Sequence, residues 1–189
     1  MTPDQAIKRL MDGNDRYVKD QLMHPNRNQI RRDALTATQK PFAIILGCSD
    51  SRVSPEIVFD QGLGDLFVVR VAGNVVGPIE LDSIHYAALY LDAVLILVMG
   101  HENCGAIQAV LSNNTKDIPT VAGKIQPVIK NTPLGQPETV KEAVKANVRS
   151  VVRDLRQSPA LSRLIKENRI EVIGGYYNLS NGEVEPVTE

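Results

Sequence analysis

The sequence predicts a single α/β domain with a mainly parallel β-sheet that helices cover on both faces. Short apolar runs alternate with segments of helical periodicity, which is typical of parallel strands joined by crossover helices. The runs are continuously apolar, as expected where both faces of a sheet are buried. At 189 residues the chain is long enough to bury one sizeable core.

The first 35 residues predict a helical arm ahead of the α/β core, which we assign to residues 36–189. Thr2 to Gln5 has the form of a capping box with proline at the first helical position. The residues that follow form an amphipathic helix whose apolar face has little adjacent sequence to cover it. Met23 to Pro41 is polar and predicts irregular structure with a short helix.

Three predicted strands follow, with helices between them. The strands are the apolar runs FAIILGC, DLFVVRV and AVLILVM. Helices are predicted to begin at Pro55, at Pro78 and near Cys104, two of them with proline at the first helical position. Residues 113–137 are rich in proline and glycine and predict a loop.

The C-terminal part predicts two helices and a hairpin-like extension. Residues 138–157 carry valines and a leucine at helical spacing, and Ser158 with Pro159 starts a second helix. An apolar run then precedes a turn at Ser180–Gly182 and a closing strand.

Composition excludes several classes of function. The net charge is −1, so there is no electrostatic basis for binding nucleic acid. Aromatic residues make up only 4% of the chain, which disfavours recognition by base stacking. No apolar run reaches the ~20 residues of a membrane span, and the N-terminus lacks the apolar core of a signal peptide. We therefore expect a cytoplasmic protein without membrane or nucleic-acid partners.

Cys48, His101 and Cys104 form a candidate metal site. Cys48 ends the first predicted strand, and the other two residues follow the third. In parallel sheets ligands bind beyond the carboxyl ends of the strands, and two crossovers could place these ends side by side. A Cys₂His set leaves one coordination position open, as in catalytic zinc sites. A disulfide or two inert buried thiols are the alternatives.

Asp50 and Arg52 follow Cys48 within the same strand-to-helix turn. Alone, Asp50 reads as a turn residue and Arg52 as a surface charge. Together, so near a proposed metal ligand, they suggest a charge-paired dyad. Arginine would keep the carboxylate ionised and away from the metal.

The segments CSDSRVSPEIVFDQGLGDLFVVRVAGN and GHENCGAI, together with the closing GGYYNLSNGEVE, resemble β-class carbonic anhydrases. The similarity spans nearly the whole chain. It implies a lyase that interconverts carbon dioxide and bicarbonate through attack by zinc-bound hydroxide. It further implies one zinc per chain on Cys48, His101 and Cys104, with Asp50 and Arg52 as the catalytic dyad.

The resemblance also implies a substrate pocket and an assembly. Gln39 and the Gly105 amide would bind substrate, and Phe67, Ala72 and Tyr86 would line an apolar pocket. Phe67 and Tyr86 would come from the neighbouring subunit of a homodimer that can pair again into a tetramer. The N-terminal arm would embrace the partner.

Three alternative functions compete with this interpretation. A zinc deaminase would carry H-x-E and P-C-x-x-C, which this sequence lacks. A structural zinc would need a fourth Cys or His ligand. A carbon disulfide or carbonyl sulfide hydrolase would share the fold and the zinc ligands. His85 stands where relatives often carry glutamate, and it is either a helix residue with a local contact or a proton relay.

Overall fold

The computed structural model describes residues 1–130 and 137–188, and at its centre lies one five-stranded sheet. The strands are β1 (Ala43–Gly47), β2 (Leu66–Arg70), β3 (Leu95–His101), β4 (Glu171–Tyr177) and β5 (Val184–Val187). Their order across the sheet is β2-β1-β3-β4-β5. The first four are parallel, and β5 returns antiparallel to β4 as the predicted hairpin. The α/β fold class is therefore confirmed.

The described ranges hold eight α-helices and one short 3₁₀ turn. The helices are α1 (Pro3–Val18), α2 (Gln29–Ala34), α3 (Pro55–Val58), α4 (Pro78–Tyr90), α5 (Gly105–Leu111), α6 (Pro119–Ile129), α7 (Pro137–Gln157) and α8 (Pro159–Lys166). Proline opens most of them because its fixed φ suits the first turn, where its missing N–H costs nothing. Among the described residues, no helix is long and apolar enough to cross a membrane.

Alternate residues of the strands pack against two different helical layers, as the two-residue period of a strand requires. Ile44, Leu46, Ile96 and Val98 lie in a core with residues of α4, α7 and α8. Ala43, Ile45, Leu97 and Met99 lie in a second core with residues of α1 and α3. β1 and β3 are therefore buried on both faces, which explains why their sequences lack polar alternation.

The prediction of a loop over 113–137 is wrong over residues 119–129, which form a helix, and at 137, where α7 begins. α6 runs from Pro119 to Ile129 and buries Ala122, Ile125 and Ile129. These residues recur at helical spacing and pack against α5 and α7. This tertiary burial outweighs Gly123 and Pro127, both within the helix. The part of the prediction on 131–136 lies outside the described residues.

The N-terminal helix packs on its own chain. Ala6 and Leu10 are fully buried in the second core. The buried Asn14 amide donates to the carbonyls of Val58, at 3.1 Å, and Gly182, at 2.8 Å. The apolar face of α1 is thus covered in part by α3 and the β4–β5 turn, which come from far along the chain. Its contact with a partner subunit stays a prediction.

Gly13 is the point of closest approach between α1 and α3. A Cβ atom there would lie 1.9 Å from the carbonyl oxygen of Phe59. Gly123 of α6 also lies in a helix, but nothing stands within 4 Å of the position of its Cβ. Both glycines therefore lower helix stability to the same extent, but a side chain in place of Gly13 would clash whereas one in place of Gly123 would not.

We expect Gly13→Ala to destabilise the protein by about 1–3 kcal/mol, because the clash exceeds the gain in helix propensity. Gly123→Ala should stabilise it by about 0.5–1 kcal/mol. Urea unfolding at equal protein concentration measures both changes. Equal stabilisation by the two substitutions would contradict the docking of α1.

Candidate metal centre

The structure brings Cys48, His101 and Cys104 together. Cys48 follows β1 and His101 ends β3, and these strands are neighbours in parallel register, with Gly47 opposite Met99. Cys104 caps the start of α5 after a short turn. One ligand atom of each residue lies within 4.8 Å of the other two, and all three side chains are buried.

The orientation of His101 leaves one ring nitrogen available as a ligand. Nδ1 lies 2.8 Å from the carbonyl oxygen of Glu102. Because a carbonyl only accepts, Nδ1 carries the hydrogen and Nε2 presents a lone pair. Nε2 is buried without a hydrogen-bond partner among the described residues. An unpaired buried polar atom costs about 1–3 kcal/mol, which a bound cation would offset.

The two thiols complete a donor set that suits zinc. Hydrogen bonding with the Cys104 thiol lowers the pKa of Cys48 to about 4. The same interaction, together with burial, raises the pKa of Cys104. Two cysteines that share one proton in this way offer a metal one ready thiolate and a second once that proton is displaced. Two sulfurs and one imidazole fit a tetrahedral zinc with an open fourth position.

Asp50 and Arg52 form a bidentate ion pair beside the ligands. Arg52 Nε donates to Asp50 Oδ1 at 2.9 Å, and Nη2 donates to Oδ2 at 2.7 Å. The Arg52 side-chain hydrogen bonds hold the pKa of the Asp50 carboxyl well below its usual range. Asp50 Oδ2 lies 3.9 Å from His101 Nε2. An ionised carboxylate therefore lies next to the ligands, with arginine occupying both of its oxygens.

Arg70 is a site residue that the sequence analysis missed. Its Nε donates to the Cys48 carbonyl at 2.9 Å, and its Nη2 donates to the Asp50 carbonyl at 2.6 Å. The side chain thereby holds the backbone that carries a ligand and the dyad. Arg70 ends β2, beside Gly47 in register. The rule that sites gather at the carboxyl ends of parallel strands could have identified it.

The five predicted pocket residues lie on five different segments of the chain. Gln39 is exposed in the irregular segment before β1, and Ala72 is exposed at the start of the 3₁₀ turn Ala72–Asn74. Phe67 on β2 and Tyr86 on α4 contact each other, with ring centroids 6.4 Å apart. Gly105 directly follows a ligand, and open space surrounds the position of its Cβ.

His85 makes a contact away from the ligand group. Its Nε2 lies 2.8 Å from the Ser158 hydroxyl, which joins α4 to the start of α8. This contact agrees with the interpretation of His85 as a helix residue rather than a proton relay.

Comparison with known proteins identifies similar sequences that carry the same family name. The sequence model of the family described as carbonic anhydrase matches residues 43–184. The carbonic anhydrase of Mycolicibacterium smegmatis is 40% identical over 97% of this chain and 92% of its own length. Carbonic anhydrase 2 of Mycobacterium tuberculosis H37Rv is also 40% identical, over 95% of this chain and 90% of its own.

Solved structures with the same fold include β-carbonic anhydrases. One, from Sordaria macrospora and described as tetrameric, aligns with a TM-score of 0.79 and 25% identity over 84% of this chain and 86% of that chain. The Coccomyxa enzyme in complex with acetazolamide aligns with a TM-score of 0.75 and 28% identity, over 83% of this chain and 76% of that chain.

We expect the purified protein to hold one zinc ion per chain. Cys48→Ala, His101→Ala and Cys104→Ala should each lose it, because two ligands cannot retain the ion at this site. His85→Ala is the matched control and should keep it, since His85 contacts Ser158 instead. Elemental analysis of the dialysed proteins gives the stoichiometry. Full zinc content in any ligand variant would refute the site.

Proposed function

The chain belongs to the β-class carbonic anhydrase family of lyases, whose reaction is the reversible hydration of carbon dioxide, and we propose that Cys48, His101 and Cys104 hold its zinc. The observation that carries this proposal is the buried Cys₂His group, in which one imidazole nitrogen has no hydrogen-bond partner among the residues that the structure describes. The reaction also needs an ionised carboxylate that is not itself a metal ligand, and the ion-paired Asp50 beside the Cys₂His group supplies it.

Hydration of carbon dioxide at neutral pH needs hydroxide. Zinc held by Cys48, His101 and Cys104 would supply it by lowering the pKa of water to about 7. Two thiolates work against this lowering because they neutralise the charge of the ion. The neighbouring residues must therefore favour and orient the hydroxide.

Asp50 is suited to orienting it. An ionised carboxylate accepts a hydrogen bond from hydroxide and turns the lone pair of the oxygen toward the substrate. The distance of 3.9 Å between Asp50 Oδ2 and His101 Nε2 places the carboxylate near the ligands. The two side-chain bonds from Arg52 keep the carboxylate charged and restrain it from becoming a fourth ligand.

Carbon dioxide is small and apolar, so its pocket needs apolar walls and few directed donors. In the proposed pocket the Gly105 amide and Gln39 supply the donors, and Ala72 lines the wall. Open space beside Gly105, one residue from a ligand, supports the first of these assignments. Phe67 and Tyr86 would enter from the neighbouring subunit.

Assembly as a homodimer is part of the same proposal. Tyr86 is 48% exposed and Tyr90 is 74% exposed, and their ring centroids lie 5.8 Å apart. β2, which carries Phe67, is an edge strand of the sheet. An exposed aromatic surface beside an open sheet edge is typical of a protein interface. The relative from Sordaria macrospora is described as tetrameric, which a pair of dimers would also produce.

A carbon disulfide or carbonyl sulfide hydrolase is not favoured. The relatives that match over nearly the full chain are named carbonic anhydrases. The site residues give no observation that points to sulfur-containing substrates.

We expect Asp50→Asn to keep zinc and fold but to lose at least about 10²-fold in carbon dioxide hydration, because the amide no longer offers an ionised acceptor. Arg52→Ala should be severely impaired as well, with the carboxylate free to approach the metal. Stopped-flow hydration assays on metal-quantified protein measure both rates. Asp117→Asn, on an exposed loop, is the control. A wild-type rate in Asp50→Asn at full zinc occupancy would refute this mechanism.

We expect Tyr86→Arg to dissociate the dimer and to reduce hydration activity, because the charge cannot be buried in an aromatic interface. Tyr86→Phe keeps the ring and should retain both assembly and activity. Sedimentation velocity at assay concentration reports the oligomer, alongside zinc content. A fully active monomer would contradict the proposal that subunits complete the pocket.

A further inference from the structure

Asn147 connects a distant helix to the backbone beside the metal centre. It lies on α7 and is 1% exposed. Its Nδ2 donates a hydrogen bond of 2.9 Å to the carbonyl oxygen of Gly73. Gly73 belongs to the 3₁₀ turn Ala72–Asn74 that follows β2. This bond spans a long stretch of sequence, and no motif of the site includes Asn147.

The turn that Asn147 holds contacts a metal ligand directly. The Gly73 N–H donates to Cys48 Sγ at 3.3 Å. The turn is closed by a bond of 3.0 Å from the Asn74 N–H to the Val71 carbonyl. Gly73 has φ +71°, so the chain enters the left-handed region where it passes the sulfur.

Gly73 itself has no side chain with which to secure this geometry. A Cβ atom at this position would lie 2.9 Å from Ile125 Cδ1 and 3.1 Å from Ala106 Cβ. The position must therefore stay glycine, the residue with the greatest backbone freedom. An external hydrogen bond to its carbonyl restrains that freedom, and Asn147 provides one.

We propose that Asn147 is a positioning residue of the metal centre, which fixes the Gly73 peptide so that its N–H remains directed at Cys48 Sγ. Hydrogen bonds to a ligating sulfur orient it and tune its electron donation, and loss of such outer contacts typically costs 10–100-fold in metal affinity or activity. This inference rests on the proposed zinc site. It adds to that site a residue that touches neither metal nor substrate.

The decisive comparison is between two buried asparagines. Asn147→Ala removes the bond to Gly73, whereas Asn14→Ala removes three bonds, to the carbonyls of Val58 and Gly182 and from the Val184 N–H. Both leave buried carbonyls without a donor and both should lower stability. Only Asn147→Ala should disturb the sulfur ligand. Asn147→Leu keeps the number and branching of the side-chain heavy atoms without the amide donor, and it repeats the test if the alanine variant folds poorly.

The measurements are the zinc dissociation constant, by chelator competition, and the sulfur-to-metal charge-transfer band of the Co²⁺-substituted protein. Asn147→Ala or Asn147→Leu should weaken zinc binding about tenfold or more and move the band to longer wavelength, because an unbonded thiolate gives up its electron more easily. Asn14→Ala should change neither. Asn147→Gln, which retains an amide donor, should restore part of the affinity and of the band position.

Wild-type affinity and band position in both Asn147→Ala and Asn147→Leu would overturn the inference and leave the zinc site standing. Equal changes in the Asn14 and Asn147 variants would also overturn it, since general destabilisation would then account for the effect. Absence of zinc from the wild-type protein would overturn the proposed function and the inference together.

Discussion

The parallel pairing of β1 with β3 is the constraint on which the site depends. It places Gly47 opposite Met99, so that the chain leaves both strands at the same edge of the sheet. Cys48 and His101 meet there although residues 49–100 lie between them. The intervening segment crosses through β2 and α4, and the right-handed crossover fixes on which side it returns. A shift in this register would move Cys48 and His101 apart, whatever the local conformation of each side chain.

Charge balance at this edge depends on two arginines with different tasks. Arg52 binds both carboxylate oxygens of Asp50, whereas Arg70 binds main-chain carbonyls of Cys48 and Asp50. One arginine therefore sets the charge and direction of a side chain, and the other fixes the backbone beneath it. Guanidinium suits both tasks because it offers several donors in one plane and stays charged.

Two buried polar side chains, Asn14 and His101, differ in how far their hydrogen-bonding groups are satisfied. Asn14 satisfies both of its polar groups with backbone partners, since it also accepts from the Val184 N–H at 2.9 Å. His101 Nε2, equally buried, has no hydrogen-bond partner within the described part of the chain. With the two cysteine sulfurs within 4.8 Å of the imidazole, this unpaired atom is physical evidence for a ligand position.

The sequence by itself determined what depends on near neighbours. Continuous apolar runs specified buried strands, Thr2 and Pro3 specified the start of α1, and two residues of separation allowed Asp50 and Arg52 to pair. The types of the three ligands also indicated zinc, because thiolate and imidazole suit that ion. The resemblance to a family then carried the identity of the reaction, which no local pattern alone supplied.

Only the tertiary structure decided the contacts between distant segments. Arg70 and Gly73 lie at and just after the end of β2 and Asn147 lies on α7, and strand order and helix packing bring them around Cys48. The same reason explains α6, where burial of Ile125 against neighbouring helices outweighs an unfavourable composition. It also explains α1, whose apolar face is covered in part by elements much later in the chain. Such contacts depend on the topology of the whole chain, which short-range periodicity does not encode.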